Sequence, residues 1–102
     1  MISKTITLKT PIESSGEFIE KLEFRDITTA DYVALGPVMG VVVRKDGTSY
    51  VQEFTKVIIA YIIRLTGLTA TDAAKLSLPD FMQVRDHIRD SLDFSTEPDS
   101  EI

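Results

Sequence analysis

The sequence predicts an α+β fold in which an N-terminal β-hairpin is followed by a small bundle of about four helices. Two alternating segments near the N-terminus, a series of hydroxyl-x-x-aspartate helix starts after them, and an apolar stretch with helical spacing support this. The first strand is "ISKTITLKT", in which Ile2, Lys4, Ile6, Leu8 and Thr10 share one side and Ser3, Thr5, Thr7 and Lys9 the other. Period two with isoleucine and threonine enrichment fits a half-buried strand. Pro11 is expected to end it, with "ESSGE" as a turn several residues long. In "EFIEKLEF", Phe18, Glu20, Leu22 and Phe24 then share one side of the return strand. An isolated two-stranded hairpin is marginally stable, so it must lean on the rest of the chain.

"DITTADYVALG" offers Thr28 or Thr29 as an N-cap, Asp31 in the first turn and Gly36-Pro37 as a stop, giving a short helix. The following stretch admits two readings. Asp46-Gly47 between "VVVRK" and "TSYVQEF" is a hairpin signal, whereas Thr48 or Ser49 with Gln52 or Glu53 would cap a helix. Spacings of three and four through Val51, Phe54, Ile58, Tyr61, Ile62 and Leu65 favour a long helix; residues 38–50 are left as either a hairpin or a loop before it. Gly67 ends that helix, Thr69 with Asp72 starts a short one, and Ser77 with Asp80 starts the last, with Pro79 in its first turn. Phe81, Val84, Ile88 and Leu92 form its apolar stripe. Residues 1–94 are therefore expected to form a single domain, and residues 95–102, "STEPDSEI", an acidic, disordered tail.

A chain of 102 residues has room for one modest core. Sixteen acidic against eleven basic side chains give a formal net charge of -5, and the basic residues are scattered, which argues against nucleic acid and anionic lipid as partners. There is no cysteine, so disulfides, thiolate metal sites and a thiol nucleophile are excluded. The longest apolar run, Val57 to Ile63, falls far short of the roughly 20 residues that span a membrane, and no signal-peptide pattern opens the chain. A soluble, intracellular protein is expected.

Catalytic signals are weak. His87, the single histidine, has Asp86 and Asp90 nearby on a helix but no converging set of ligands, and is read as a solvent-facing residue. Asp72 and Asp80 could be paired carboxylates, yet both stand where a helix start wants an acceptor, so a structural cap explains them. The glycines form no phosphate loop, no G-x-S-x-G is present, and the aromatic residues are not interleaved with basic ones. No catalytic, cofactor-binding or metal site is expected. The long helix is apolar on more than one side, and the outward Val57, Ile59 and Ile63 are candidate partner-binding residues.

The order of these features resembles the tail assembly chaperones of contractile-tailed bacteriophages, the group with small Mu-like and P2-like phage proteins. The resemblance lies in "ITLKTPIESSGEFIEKLEFRDITTADY" and "IIRLTGLTATDAAKLSLPDFMQV", at Ile6, Leu8, Pro11, Ile12, Thr29, Asp31, Leu65, Thr66, Gly67, Leu68, Leu76 and Asp80. Pro37 to Tyr50 departs from the family pattern. The resemblance implies a non-enzymatic protein of the host cytoplasm, absent from the mature virion, that coats the tape measure protein until tail tube subunits polymerise. The tail tube protein and self-association are further partners it allows, and a frameshifted, extended product is common in such phages. The competing readings are a structural tail component retained in the virion, an acidic inhibitor-type interaction protein, and a small enzyme.

Overall fold

The computed structural model describes residues 2–92, so the expected acidic tail lies outside the described residues. Strands β1 (Ile2–Ser14) and β2 (Glu17–Arg25) form an antiparallel hairpin. Its loop is only Ser15 and Gly16, with φ of 53° and 83°. Positive φ at both central residues gives a turn whose twist matches the strands, so the turn is tighter than the sequence suggests.

β1 does not stop at Pro11. Thr7 pairs with Lys21 and the next pair is Ile12 with Ile19, so Leu8, Lys9, Thr10 and Pro11 stand opposite Glu20 alone. A bulge is where a residue without an N–H donor can sit inside a strand. The shifted register also changes which side chains face inward. Ile12 joins Ile6, Leu8, Leu22 and Phe24 in the core with Ile19 packed beside it, whereas Phe18, expected to share their side, is 69% exposed.

Four helices follow among the described residues: α1 (Thr29–Leu35), α2 (Thr55–Thr66), α3 (Ala70–Ala73) and α4 (Leu78–Ser91). α2 is central, packed against β2, α1, α3 and α4, and it buries Ile58, Tyr61, Ile62 and Leu65. The Tyr61 hydroxyl donates to the Gly36 carbonyl at 2.7 Å, tying the end of α1 to α2. Gly67 closes α2 in the left-handed conformation, its N–H donating to the Ile63 carbonyl at 2.9 Å. α4 lies against β1 and α2 through Val84 and Ile88. His87, expected to face solvent, is instead half-buried, its ring edge-on to Phe24 at 5.1 Å. Burial, followed by the nearby Lys4 charge, lowers its pKa.

Between α1 and α2 the structure resolves the ambiguity in favour of a hairpin. β3 (Met39–Val43) pairs with β4 (Ser49–Glu53), so the long helix begins at Thr55, and Thr48 and Ser49 cap no helix. The loop is locally determined. Gly47 takes φ 92°, its N–H donates to the Arg44 carbonyl at 3.0 Å, and Asp46 Oδ1 accepts both the Thr48 N–H and hydroxyl. A three-residue loop with glycine in the left-handed position is a common hairpin connection. β-branched residues on both sides complete the strand preference, which outweighs the three-four spacing that Val51 and Phe54 share with α2.

Three helices begin with the same arrangement, and in each the aspartate reaches beyond its own helix. Thr28, Thr69 and Ser77 are the N-caps, accepting from the N–H of Asp31, Asp72 and Asp80. Asp31 completes a capping box on the Thr28 N–H and also takes Arg25 from the end of β2 and Arg64 from α2. Asp72 accepts the Ser14 hydroxyl at 2.6 Å, at the end of β1. Asp80 accepts the N–H groups of Lys9 and Thr10 at 2.9 and 3.0 Å, two amides that the bulge removes from the ladder, together with the Ser77 hydroxyl. All three carboxylates are buried, and among the described residues no buried side-chain polar atom lacks a partner. Their pKa values are lowered: Asp31 by Arg25 first, then the Thr28 amide and Arg64; Asp72 by Ser14. For Asp80, burial pulls upward, but the Lys9 and Thr10 amides with Ser77 outweigh it.

Asp80→Ala leaves the Lys9 and Thr10 amides without their acceptor and is expected to lower unfolding free energy by about 2–3 kcal/mol, measured by urea denaturation. Ala at the exposed Asp86 is expected to change it by under about 0.5 kcal/mol. Carboxylates held low in the folded chain contribute stability above the ordinary carboxylate pKa and lose it as pH falls toward the folded values. The urea midpoint should therefore fall most steeply below about pH 4. A shallower loss begins near pH 6.5, where the unfolded His87 takes a proton that the folded imidazole resists. Asp31→Asn is expected to flatten the acid limb, and an unchanged limb would show that Asp31 carries no linkage.

Candidate functional site

The β3–β4 ribbon differs from the rest of the described molecule in how little covers it: only Gly40 and Val42 of β3 and Glu53 of β4 are half-buried. Among the described residues no other strand or helix brings its backbone close to either strand, α4 reaching only Glu53 through arginine side chains, whereas the first hairpin is covered by α2, α3 and α4. It is held at its base. The Phe54 N–H donates to the Val38 carbonyl at 2.7 Å, Val38 is buried, and Glu53 lies 3.7–3.8 Å from Arg89 and Arg85 of α4. Gly40 lets the strand pass over the Phe54 ring, since a Cβ there would stand 2.8 Å from its Cζ. Farther out, Arg44 lies 4.3 Å above the Tyr50 ring.

Strand alternation sorts the ribbon into two faces. Met39, Val41 and Val43 project to one side, and their directly opposite partners Glu53, Val51 and Ser49 project with them, so the face is apolar at its centre with Glu53 at its base. Val41, Val43 and Val51 are each between 66% and 70% exposed. An apolar cross-strand cluster of this kind normally packs against something, so its exposure is the strongest sign of a contact surface in the molecule. Smaller uncovered apolar groups are Tyr32 and Val33 on α1 and Leu78 and Met82 on α4.

The residues singled out from the sequence fall into two sets. Val57, Ile59 and Ile63 are half-buried on α2 and packed against the core, so they offer less free surface than the ribbon. Thr69, Asp72, Ser77 and Asp80 sit at helix starts, with the two carboxylates engaged by β1 as described. The sequence reading missed the valine face because it extended the helix back over β4. The available signal was the Asp46-Gly47 turn flanked by β-branched residues. Among the described residues no group of three or more histidine, aspartate or glutamate side chains could hold a metal ion, and no helix is long and apolar enough to cross a membrane.

These features define a small α+β protein whose helices are pinned to one hairpin while a second hairpin displays an uncovered apolar face. The chain belongs to the phage tail assembly chaperone family: the family described as phage tail assembly chaperone proteins, E, or 41 or 14, matches residues 5–93. No curated protein and no solved structure matches the chain.

The contrast in burial yields a test. Ile59→Asp is expected to lower the melting temperature by roughly 5–15 °C, since a carboxylate would enter a half-buried apolar contact. Val41→Thr on the ribbon should leave it within about 2 °C. Equal shifts for the two variants in a thermal melt would overturn this division between packed and displayed residues.

Proposed function

We infer that this chaperone acts without catalysis, by holding the tape measure protein soluble in the host cytoplasm until tail tube subunits assemble around it. It then leaves before the virion is complete. The observation that carries the reading is the uncovered valine face of the ribbon on a chain of formal net charge -5. A holder of a long, apolar, helical client needs displayed apolar surface, and enough net charge to stay dissolved when empty. The ribbon meets the first need, and the acidic balance meets the second. An amphipathic helix laid across Met39, Val41, Val43 and Val51 would cover them as a packed helix covers a sheet in a folded domain. The half-buried Val57, Ile59 and Ile63 on α2 are a second, smaller contact in this reading.

Retention in the virion as a structural tail component is the competing reading. Mass spectrometry of finished particles separates the two, because a departing chaperone leaves no stoichiometric copy behind. The client reading is tested by co-expression with the tape measure protein. Val41→Thr combined with Val43→Thr is expected to reduce the soluble co-purified client at least about tenfold while circular dichroism and melting stay at wild-type values, since threonine keeps the shape and β-propensity but weakens apolar contact. Recovery equal to wild type would remove the ribbon as the client face.

A further inference from the structure

The face of the ribbon and its edge are different surfaces, and the edge of β3 has its own chemistry. Cross-strand bonding fixes which backbone groups are free. The Arg44 N–H donates to the Thr48 carbonyl and the Phe54 N–H to the Val38 carbonyl, and these pairs share one register with all the pairs between β3 and β4. Hydrogen-bonded pairs recur at every second residue of an antiparallel ladder. The groups of Gly40 and Val42 are therefore directed at β4. The N–H and C=O of Met39, Val41 and Val43 point away from it, along an edge that no other strand covers among the described residues.

Proteins usually blunt such an edge with charge, proline or a bulge. Each of the other strands carries some of these devices. β1 has Lys4, Lys9, Pro11 and its bulge, β2 has Glu17, Glu20, Lys21 and Glu23, and β4 has Glu53. β3 is "MGVVV", with neither charge nor proline.

We propose that β3 pairs edge to edge with β3 of a second copy of this chain, antiparallel about a two-fold axis through Val41. The strand is complementary to itself in that register. Val41 meets its own equivalent, Met39 meets Val43, and every outward N–H finds an outward C=O. A contact in which one patch meets the same patch is closed by a two-fold axis and ends at a dimer. The charged tip also fits. Arg44 and Lys45 fall beside the uncharged Val38 and Pro37 of the other copy, so neither cation meets its like. Two marginal two-stranded ribbons become one four-stranded sheet, which is the size at which sheets begin to stand alone. The valine faces of both copies lie on the same side of it, because directly opposed residues project together. The dimer thereby widens the apolar surface without covering it. This pairing does not depend on the client reading.

The test uses the whole chain and three measurements. Sedimentation velocity over a concentration series should show a reversible monomer–dimer equilibrium for the wild type, and a wild type that stays monomeric through several hundred micromolar overturns the proposal. Val41→Pro removes an N–H that faces away from β4, a position where an edge strand tolerates proline. It should be monomeric with unchanged circular dichroism, while Val41→Thr, which keeps the N–H, should dimerise like wild type. A Val41→Pro protein that dimerises as wild type does overturns the pairing. Should Val41→Pro fail to fold, hydrogen exchange on the wild type decides. The amides of Met39, Val41 and Val43 should exchange at least about tenfold more slowly in concentrated than in dilute solution, and equal rates overturn the proposal. If those amides slow only when the tape measure protein is added, the edge belongs to the client and the second copy is ruled out. Loss of client binding by Val41→Thr with Val43→Thr while the dimer persists separates the two readings.

Discussion

The fold depends on carboxylates that each serve two elements. A hydroxyl N-cap and an aspartate three residues on would start a helix in isolation, worth around 1 kcal/mol. Here Asp31, Asp72 and Asp80 are buried, and their oxygens reach to β2 and α2, to the end of β1, and to the β1 bulge. A buried carboxylate without partners would be strongly unfavourable, whereas one accepting several hydrogen bonds is tolerated and fixes geometry. Each aspartate thus sets where its helix starts and where that start sits on the hairpin. The β1 bulge follows the same logic: it frees two amides from the ladder, and Asp80 takes both.

That arrangement accounts for the unequal treatment of the two hairpins. The first is too small to persist alone, and the three aspartates and the apolar sides of α2 and α4 convert it into the platform of the domain. The second receives none of this. Among the described residues it meets the body at buried Val38, at the Phe54 ring under Gly40, and through ion pairs from Glu53 to arginines that are partly exposed. Partly exposed ion pairs contribute little, so the ribbon has a fixed root and a free blade. The core is already satisfied by the first hairpin and the helices, which permits the ribbon's valine face to stay uncovered.

Much of this was legible in the sequence wherever a local rule governs. The caps at Thr69 and Ser77, the stop at Gly67, the buried stripe of α4 and the existence of the first hairpin follow from spacing alone. What the residues could not reveal was decided by partners far along the chain. Asp80 reads as a cap because nothing near it announces Lys9 and Thr10, 71 and 70 residues away. Phe18 and Ile19 exchanged roles because a bulge in the opposite strand shifted the register, and His87 turned inward because Phe24 was there to receive its ring. The long helix was extended too far for a different reason. Val51 and Phe54 continue the three-four spacing of α2, while Val51 also fits a strand that stops at Glu53 just before Phe54 caps the helix, and periodicity cannot separate those cases across a junction.

The ribbon's composition can be read as a compromise between two risks. A strand with no charge on its edge and valines on its face is prone to aggregate, and the usual remedy is a lysine or glutamate placed on it. A charge at Val41 or Val43 would also break the apolar face on which the proposed client contact rests. The sequence places charge around the ribbon instead: Arg44, Lys45 and Asp46 at the tip, Glu53 at the base, and a net negative balance on the whole chain. In the proposed pairing the tip cations fall beside uncharged residues of the other copy, and the net negative balance helps keep further copies dissolved. The proposed two-fold pair would remove the remaining edge hazard at β3. That pairing would leave the side-chain face free, so that under the proposed function the departure of a client alone would re-expose it.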